Sequence, residues 1–141
     1  MTLSKPGPQA SPLSQPFWDG CRERRLRLQY CPDSGQWVFY PRALDPRSWS
    51  THLQWRDASG RGTVASFIVV HKPGHPAFQE DVPYVVALID LEEGPRMLSN
   101  VVGCAPEQVR IGQAVRVHWV EQGGEVLPKF VPEEFAHKEK D

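Results

Sequence analysis

A mainly β chain is expected here: a five-stranded OB-fold barrel preceded by a short helix and a degenerate rubredoxin-like ribbon. Residues 61–130 carry five runs rich in β-branched residues, separated by Gly, Pro and acidic turns. No long helical pattern alternates with those runs, which argues against a parallel α/β sheet and for a small Greek-key barrel. Ahead of them, residues 31–55 are dense in Pro, Ser, Gly, Asp and Trp. Such a segment stays folded only with a metal, a partner surface or mutual packing of its aromatics.

Residues 1–15, with Pro6, Pro8 and Pro12 among small polar residues, read as a flexible leader. Residues 16–56 form the N-terminal module. Phe17, Cys21 and Arg24 recur at helical spacing, and residues 26–30 then switch to strand alternation. Residues 37–40 and 53–55 are its other brief strands. Residues 57–132 form the barrel, with strands at 63–70, 84–91, 97–102, 114–120 and 125–130. Gly94 and Pro95 turn the second strand into the third, residues 106–110 allow one helical turn, and Gly123 with Gly124 supply a tight hairpin. Residues 133–141 read as a frayed charged tail.

With 141 residues the chain is one domain, or a barrel plus a small module. A formal net charge of -1 offers no general attraction to phosphate backbones or anionic membranes. The densest basic stretch, Arg22, Arg24, Arg25 and Arg27 with Glu23 among them, reads as a solvated surface. The cysteines Cys21, Cys31 and Cys104 are odd in number, and neither a secretory signal nor an apolar run of membrane-spanning length (roughly 18 residues) is found. These features place the protein in the cytoplasm, with reduced thiols.

The most informative motif is a ribbon with altered corners. Four thiolates in two Cys-x-x-Cys knuckles close a tetrahedron around zinc. Here Cys31 occupies one such position, and Ser34, Asp45 and Ser48 stand at the other three. Serine hydroxyls are poor zinc ligands at neutral pH, and neither Cys21, Cys104 nor His52 has a clear claim to complete the set. No zinc and no tightly bound cofactor are expected.

Taken together, several segments resemble the acyl-CoA-associated domain of unknown function that joins a rubredoxin-like zinc ribbon to an OB-fold. The carriers are Phe17, Trp18, Leu26, Leu28, Gln29 and Cys31; Tyr40, Pro41 and Arg42; Gly60, Gly62, Phe67 and His71; Pro76 and Phe78; Pro83 and Tyr84; Glu93 to Arg96; Asn100 to Cys104; and Val109 to Gly112. The resemblance covers residues 16–132. It implies a non-catalytic accessory subunit for a thiolase-like or other acyl-CoA-processing enzyme, since related domains sit beside enoyl-CoA hydratases or in complexes that degrade steroid side chains. It also implies that the loop holding His71, Pro73, Gly74 and His75 reaches a CoA thioester or the mouth of the partner's active site.

On that reading the candidate acyl-CoA contacts are Phe67, His71, Phe78, Tyr84, Asn100, Arg110 and Lys129. The aromatics would meet the acyl or pantetheine portion, and Arg110 or Lys129 a phosphate. Trp18, Trp37, Tyr40, Trp49 and Trp55 are candidate docking anchors or, equally, a local aromatic core. No nucleophile elbow, phosphate loop or dinucleotide fingerprint occurs, so no catalytic residue is assigned. Glu92 and Glu93 read as turn residues. The alternative is a stand-alone OB-fold binder of single-stranded nucleic acid, which the near-neutral charge disfavours; weaker still is a free enzyme with His71 as base.

Overall fold

The computed structural model describes residues 11–72 and 82–136. Helix α1 (Gln15–Arg22) leads into a three-stranded antiparallel sheet of β1 (Arg27–Cys31), β2 (Gln36–Val38) and β3 (Gln54–Asp57), in the order β2-β1-β3. Five further strands follow: β4 (Arg61–Val70), β5 (Tyr84–Leu91), β6 (Arg96–Val101), β7 (Ala114–Gln122) and β8 (Glu125–Pro132). They close into a barrel of order β4-β5-β6-β8-β7, with β4 pairing back onto β7. The expected OB topology is thus present. Its β6–β8 seam is parallel and has a single registered pair, Val101 with Phe130. A short 3-10 turn (Pro106–Gln108) and the closing helix α2 (Glu133–Ala136) complete the chain.

The barrel strands follow their period-two pattern. Along β5, Val85, Ala87, Ile89 and Leu91 point inward and are buried, and the residues between them are half-buried. In β4 the register shifts between Val64 and Ser66, a bulge that bends the strand as barrel closure requires. Gly62 lies where β4 runs tight against β5: a Cβ there would sit 2.6 Å from the Asp90 carbonyl oxygen. Gly123 and Gly124 take positive φ in the β7–β8 hairpin, as their pairing anticipates.

Ribbon and barrel share one core, in which Phe17 and Cys21 of α1, with Leu26 and Leu28, join Val126 and Phe130 of the barrel. Several expectations change in detail. Arg24, grouped with Phe17 and Cys21 by spacing, lies past the end of α1 with φ of 59°, while Gln15, assigned to the leader, is the first helical residue. The strand expected at 37–40 stops at Val38, and Phe39 packs on Phe17. The tail expected to fray from residue 133 instead begins as α2. There Glu133 accepts two hydrogen bonds from Arg116, and Glu134 pairs with Arg110.

Arg22, Arg24 and Arg25 are exposed, as expected, Arg27 is half-buried, and all four are laced to acidic residues. Arg22 makes a two-pronged contact with Glu125, Arg24 pairs with Glu121, and Arg25 and Arg27 reach Asp57. Glu93 does more than turn the chain, since its Oε2 accepts the Ser59 N–H at 2.7 Å. Replacing Gly62 by Ala should lower stability by about 1–3 kcal/mol, since the added methyl meets backbone that cannot move aside. An unchanged urea midpoint for Gly62→Ala would show that β4 and β5 have room to separate.

Candidate functional site

A concavity lies along β6 and β8, where the parallel seam has a single registered pair. Ser99 bridges the seam by donating its hydroxyl to the Pro128 carbonyl at 2.7 Å, and Asn100 donates to the Val85 carbonyl at 2.9 Å. A cleft of about 650 Å³ opens here, lined by Tyr84, Val86, Leu98, Asn100, Cys104, Leu127 and Lys129 among others. A second, mostly apolar hollow of about 390 Å³ continues it beneath the ribbon, walled by Trp18, Phe39, Tyr40 and Pro41. The two meet along Leu98, Ser99, Asn100, Leu127 and Lys129. Together they have the size and apolar lining of a small-molecule site.

The ribbon wall is positioned from within. Phe17 meets Trp18 edge-on at 4.8 Å between centroids and Phe39 at 5.5 Å, and Tyr40 leans on Phe39 at 4.4 Å. Gln29, buried in β1, holds the following loop as a neighbouring strand would. Its amide donates to the Arg42 carbonyl at 2.8 Å, and its carbonyl oxygen accepts the Arg42 N–H at 2.7 Å.

Of the predicted contacts, Tyr84, Asn100 and Lys129 come together in the cleft. Phe67 does not reach it and packs instead against the core. His71 is exposed just beyond β4, outside the lining. Arg110 is exposed too, pairs with Glu134 and is absent from the lining. Phe78 and His75 lie outside the described residues. Leu98, Ser99 and Leu127 went unnoticed in the sequence because outward-facing strand residues carry no mark of which face becomes concave.

Among the described residues no histidine lines the cleft, and its carboxylate, Glu121, pairs with Arg24. The Cys104 thiol is pushed up by burial and by Glu134, which keeps it protonated and a poor nucleophile.

In the ribbon, Cys31, Ser34, Asp45 and Ser48 do converge as their spacing implied. Asp45, fully buried, accepts the Ser48 hydroxyl at 2.8 Å and the Arg47 N–H at 3.1 Å, and Ser48 Oγ lies 3.7 Å from Cys31 Sγ. The buried Ser34 hydroxyl makes no hydrogen bond of full geometry, yet it faces Asp45 and is the largest influence holding that carboxyl far below its ordinary range. Burial opposes it, and Ser48, the Arg47 N–H and Cys31 reinforce it. For Cys31, burial raises the thiol, but Ser34, Ser48 and backbone N–H groups outweigh it and bring it down. Ser50 completes the fastening by donating to Asp33 at 2.5 Å.

Residues 18–53 match the ChsH2 rubredoxin-like zinc ribbon domain, and residues 55–120 match the ChsH2 C-terminal OB-fold domain. A DUF35 domain-containing scaffold protein of Methanocaldococcus jannaschii is 37% identical over 70% of both chains. The chain belongs to this ChsH2-type DUF35 family. A probable enoyl-CoA hydratase alpha subunit of Thermomonospora curvata is 41% identical over 82% of the chain, and the 3-oxo-4,17-pregnadiene-20-carboxyl-CoA hydratase alpha subunit of Mycobacterium tuberculosis is 38% identical over 84%. The chain spans only 36% and 37% of those two relatives. Among solved structures, a chain of the Ltp2-ChsH2(DUF35) aldolase superposes with a TM-score of 0.80 at 36% identity, covering 89% of this chain and 98% of that one.

The family's ribbon implies zinc, and the donor set here does not fit it. One thiol, one carboxylate and two hydroxyls stand at the four corners, and Ser48 links the thiol to the carboxylate. No group of three or more His, Cys, Asp and Glu side chains assembles among the described residues. Purified protein should therefore carry well under one zinc per chain by elemental analysis and keep its melting temperature in a chelator. Stoichiometric zinc lost together with folding would show a completed site.

Acid should act where a chelator does not. The folded-state pKa of Asp45 is depressed, so its contribution is fully present above the ordinary carboxyl value of 3.8 and is lost as pH falls towards the folded value. Melting temperature should fall with acidification below that value more steeply in the native chain than in Asp45→Asn, and parallel curves would remove Asp45 from the fastening.

Proposed function

We propose that the chain is a non-catalytic accessory subunit that binds a thiolase-like or other acyl-CoA-processing enzyme and helps to form its acyl-CoA site. The cleft carries this reading: its walls come from both ribbon and barrel, its lining mixes apolar side chains with polar ones that include Lys129, and no histidine lines it among the described residues. Such a surface can hold an acyl or pantetheine chain and meet a phosphate while the chemistry belongs to the partner. The relatives support it, being named as hydratase alpha subunits, scaffold proteins and a chain of the Ltp2-ChsH2(DUF35) aldolase. The nucleic-acid alternative has little to stand on, because the densest arginines are already matched to carboxylates.

The first test is co-purification from the native cell with mass identification of the bound protein. An acyl-CoA-processing enzyme in stoichiometric amount is expected, and its absence would sink the proposal. In the assembled complex, Lys129→Met should weaken CoA-thioester binding about tenfold, the order of one charge-assisted hydrogen bond. Arg110→Ala should leave that affinity unchanged. Titration with a CoA thioester reads both variants, and a loss confined to Arg110→Ala would move the phosphate contact out of the cleft.

A further inference from the structure

The two turns of the ribbon are built alike. In the first, the Gly35 N–H donates to the Cys31 carbonyl at 2.8 Å; in the second, the Trp49 N–H donates to the Asp45 carbonyl at the same 2.8 Å. The residue closing each turn has positive φ, 71° for Gly35 and 63° for Trp49. Glycine adopts that conformation freely, whereas a bulky side chain is disfavoured in it. Trp49 therefore occupies a position that its own backbone would give to glycine.

The indole is left mostly in solvent. At 77% exposure it is the most exposed large hydrophobic side chain among the described residues. Tyr40 and Leu44, on the same ribbon segment, are 56% and 40% exposed. Ile68 and Ile111 of the barrel are also open to solvent, but neither sits in a left-handed conformation. The turn beneath Trp49 is firmly held: the Asp45 N–H donates to the Ser50 carbonyl at 2.9 Å, and the Asp45 carboxylate takes Ser48 and the Arg47 N–H. A strained backbone that presents an unsupported ring on a fixed turn is a feature for contact with another molecule.

We propose that Trp49 is the anchor by which the ribbon docks into an apolar pocket on the acyl-CoA-processing partner, which rests on the reading given above. The solved Ltp2-ChsH2(DUF35) aldolase supports that occupant, because this chain covers 98% of the matching chain there. Whatever surface that chain offers Ltp2 thus lies within the ribbon and barrel that the two share.

The test uses the full chain and the enzyme identified by co-purification, with affinity measured by calorimetry. Trp49→Gly and Trp49→Asn should each leave the melting temperature of the free chain unchanged or raised, since both residues tolerate positive φ. Each should also weaken the complex by about tenfold or more, as loss of an aromatic anchor does. Native affinity in both variants would overturn the proposal while leaving the partnership intact. A lowered melting temperature in both would overturn it as well, by making the ring part of the fold. Failure of the native chain to bind any such enzyme would instead overturn the partnership itself.

Discussion

The packing of α1 against the barrel makes ribbon and barrel one body, and the cleft depends on it. A helix of eight residues is too short to persist alone in water, so its burial is what holds it. Phe17 and Cys21 enter the core beside Val126 and Phe130, where a large apolar side chain contributes about 1.5–3 kcal/mol. Burial, then Glu125, pushes the Cys21 thiol up to about 12, so it stays protonated and packs as a small hydrophobe. At the rim, the Arg22–Glu125 pair is screened by solvent, and such surface pairs add little. It fixes orientation more than it stabilises. With α1 seated, Trp18 and Phe39 stand over β6 and β8 and enclose what would otherwise be an open sheet face.

The ribbon poses the opposite problem, because three strands of three to five residues bury little of their own. Its polar centre supplies what the apolar area cannot. Asp45 is charged and fully buried, an arrangement that is costly unless the charge is satisfied, and the hydrogen bonds around it provide that. Tyr30 adds cohesion on the sheet, meeting Trp37 edge-on while the Arg56 guanidinium lies 4.1 Å from its ring centroid. Such a centre shares the layout of a metal site and differs in what releases it, since protons compete for a carboxylate as chelators compete for a metal.

Much of this was legible in the residues. The β5 strand appears where its alternation put it, and the four ribbon positions converge because knuckle spacing is a local property of the chain. What escaped was set by contacts between distant segments. Phe39 packs on Phe17, a partner that no periodicity names. Phe67 and Arg110 were grouped with Tyr84, Asn100 and Lys129 by chemical type, but a strand's period assigns a side chain to a face without saying which faces meet. The β6–β8 seam along the cleft is a property of closure, visible only once β6 and β8 lie side by side.

The arginines show how one composition serves two different proteins. An OB barrel that binds single strands needs cations open along a groove. Here Arg22 and Arg24 are spent on Glu125 and Glu121 beside the β7–β8 hairpin, and Arg25 and Arg27 on Asp57 at the end of β3. Arg22 and Arg24 thus tie the end of α1 to the barrel, while Arg25 and Arg27 stay within the ribbon sheet. The arginines of this stretch are therefore already engaged with carboxylates and do not form the open cationic groove that a single strand would need.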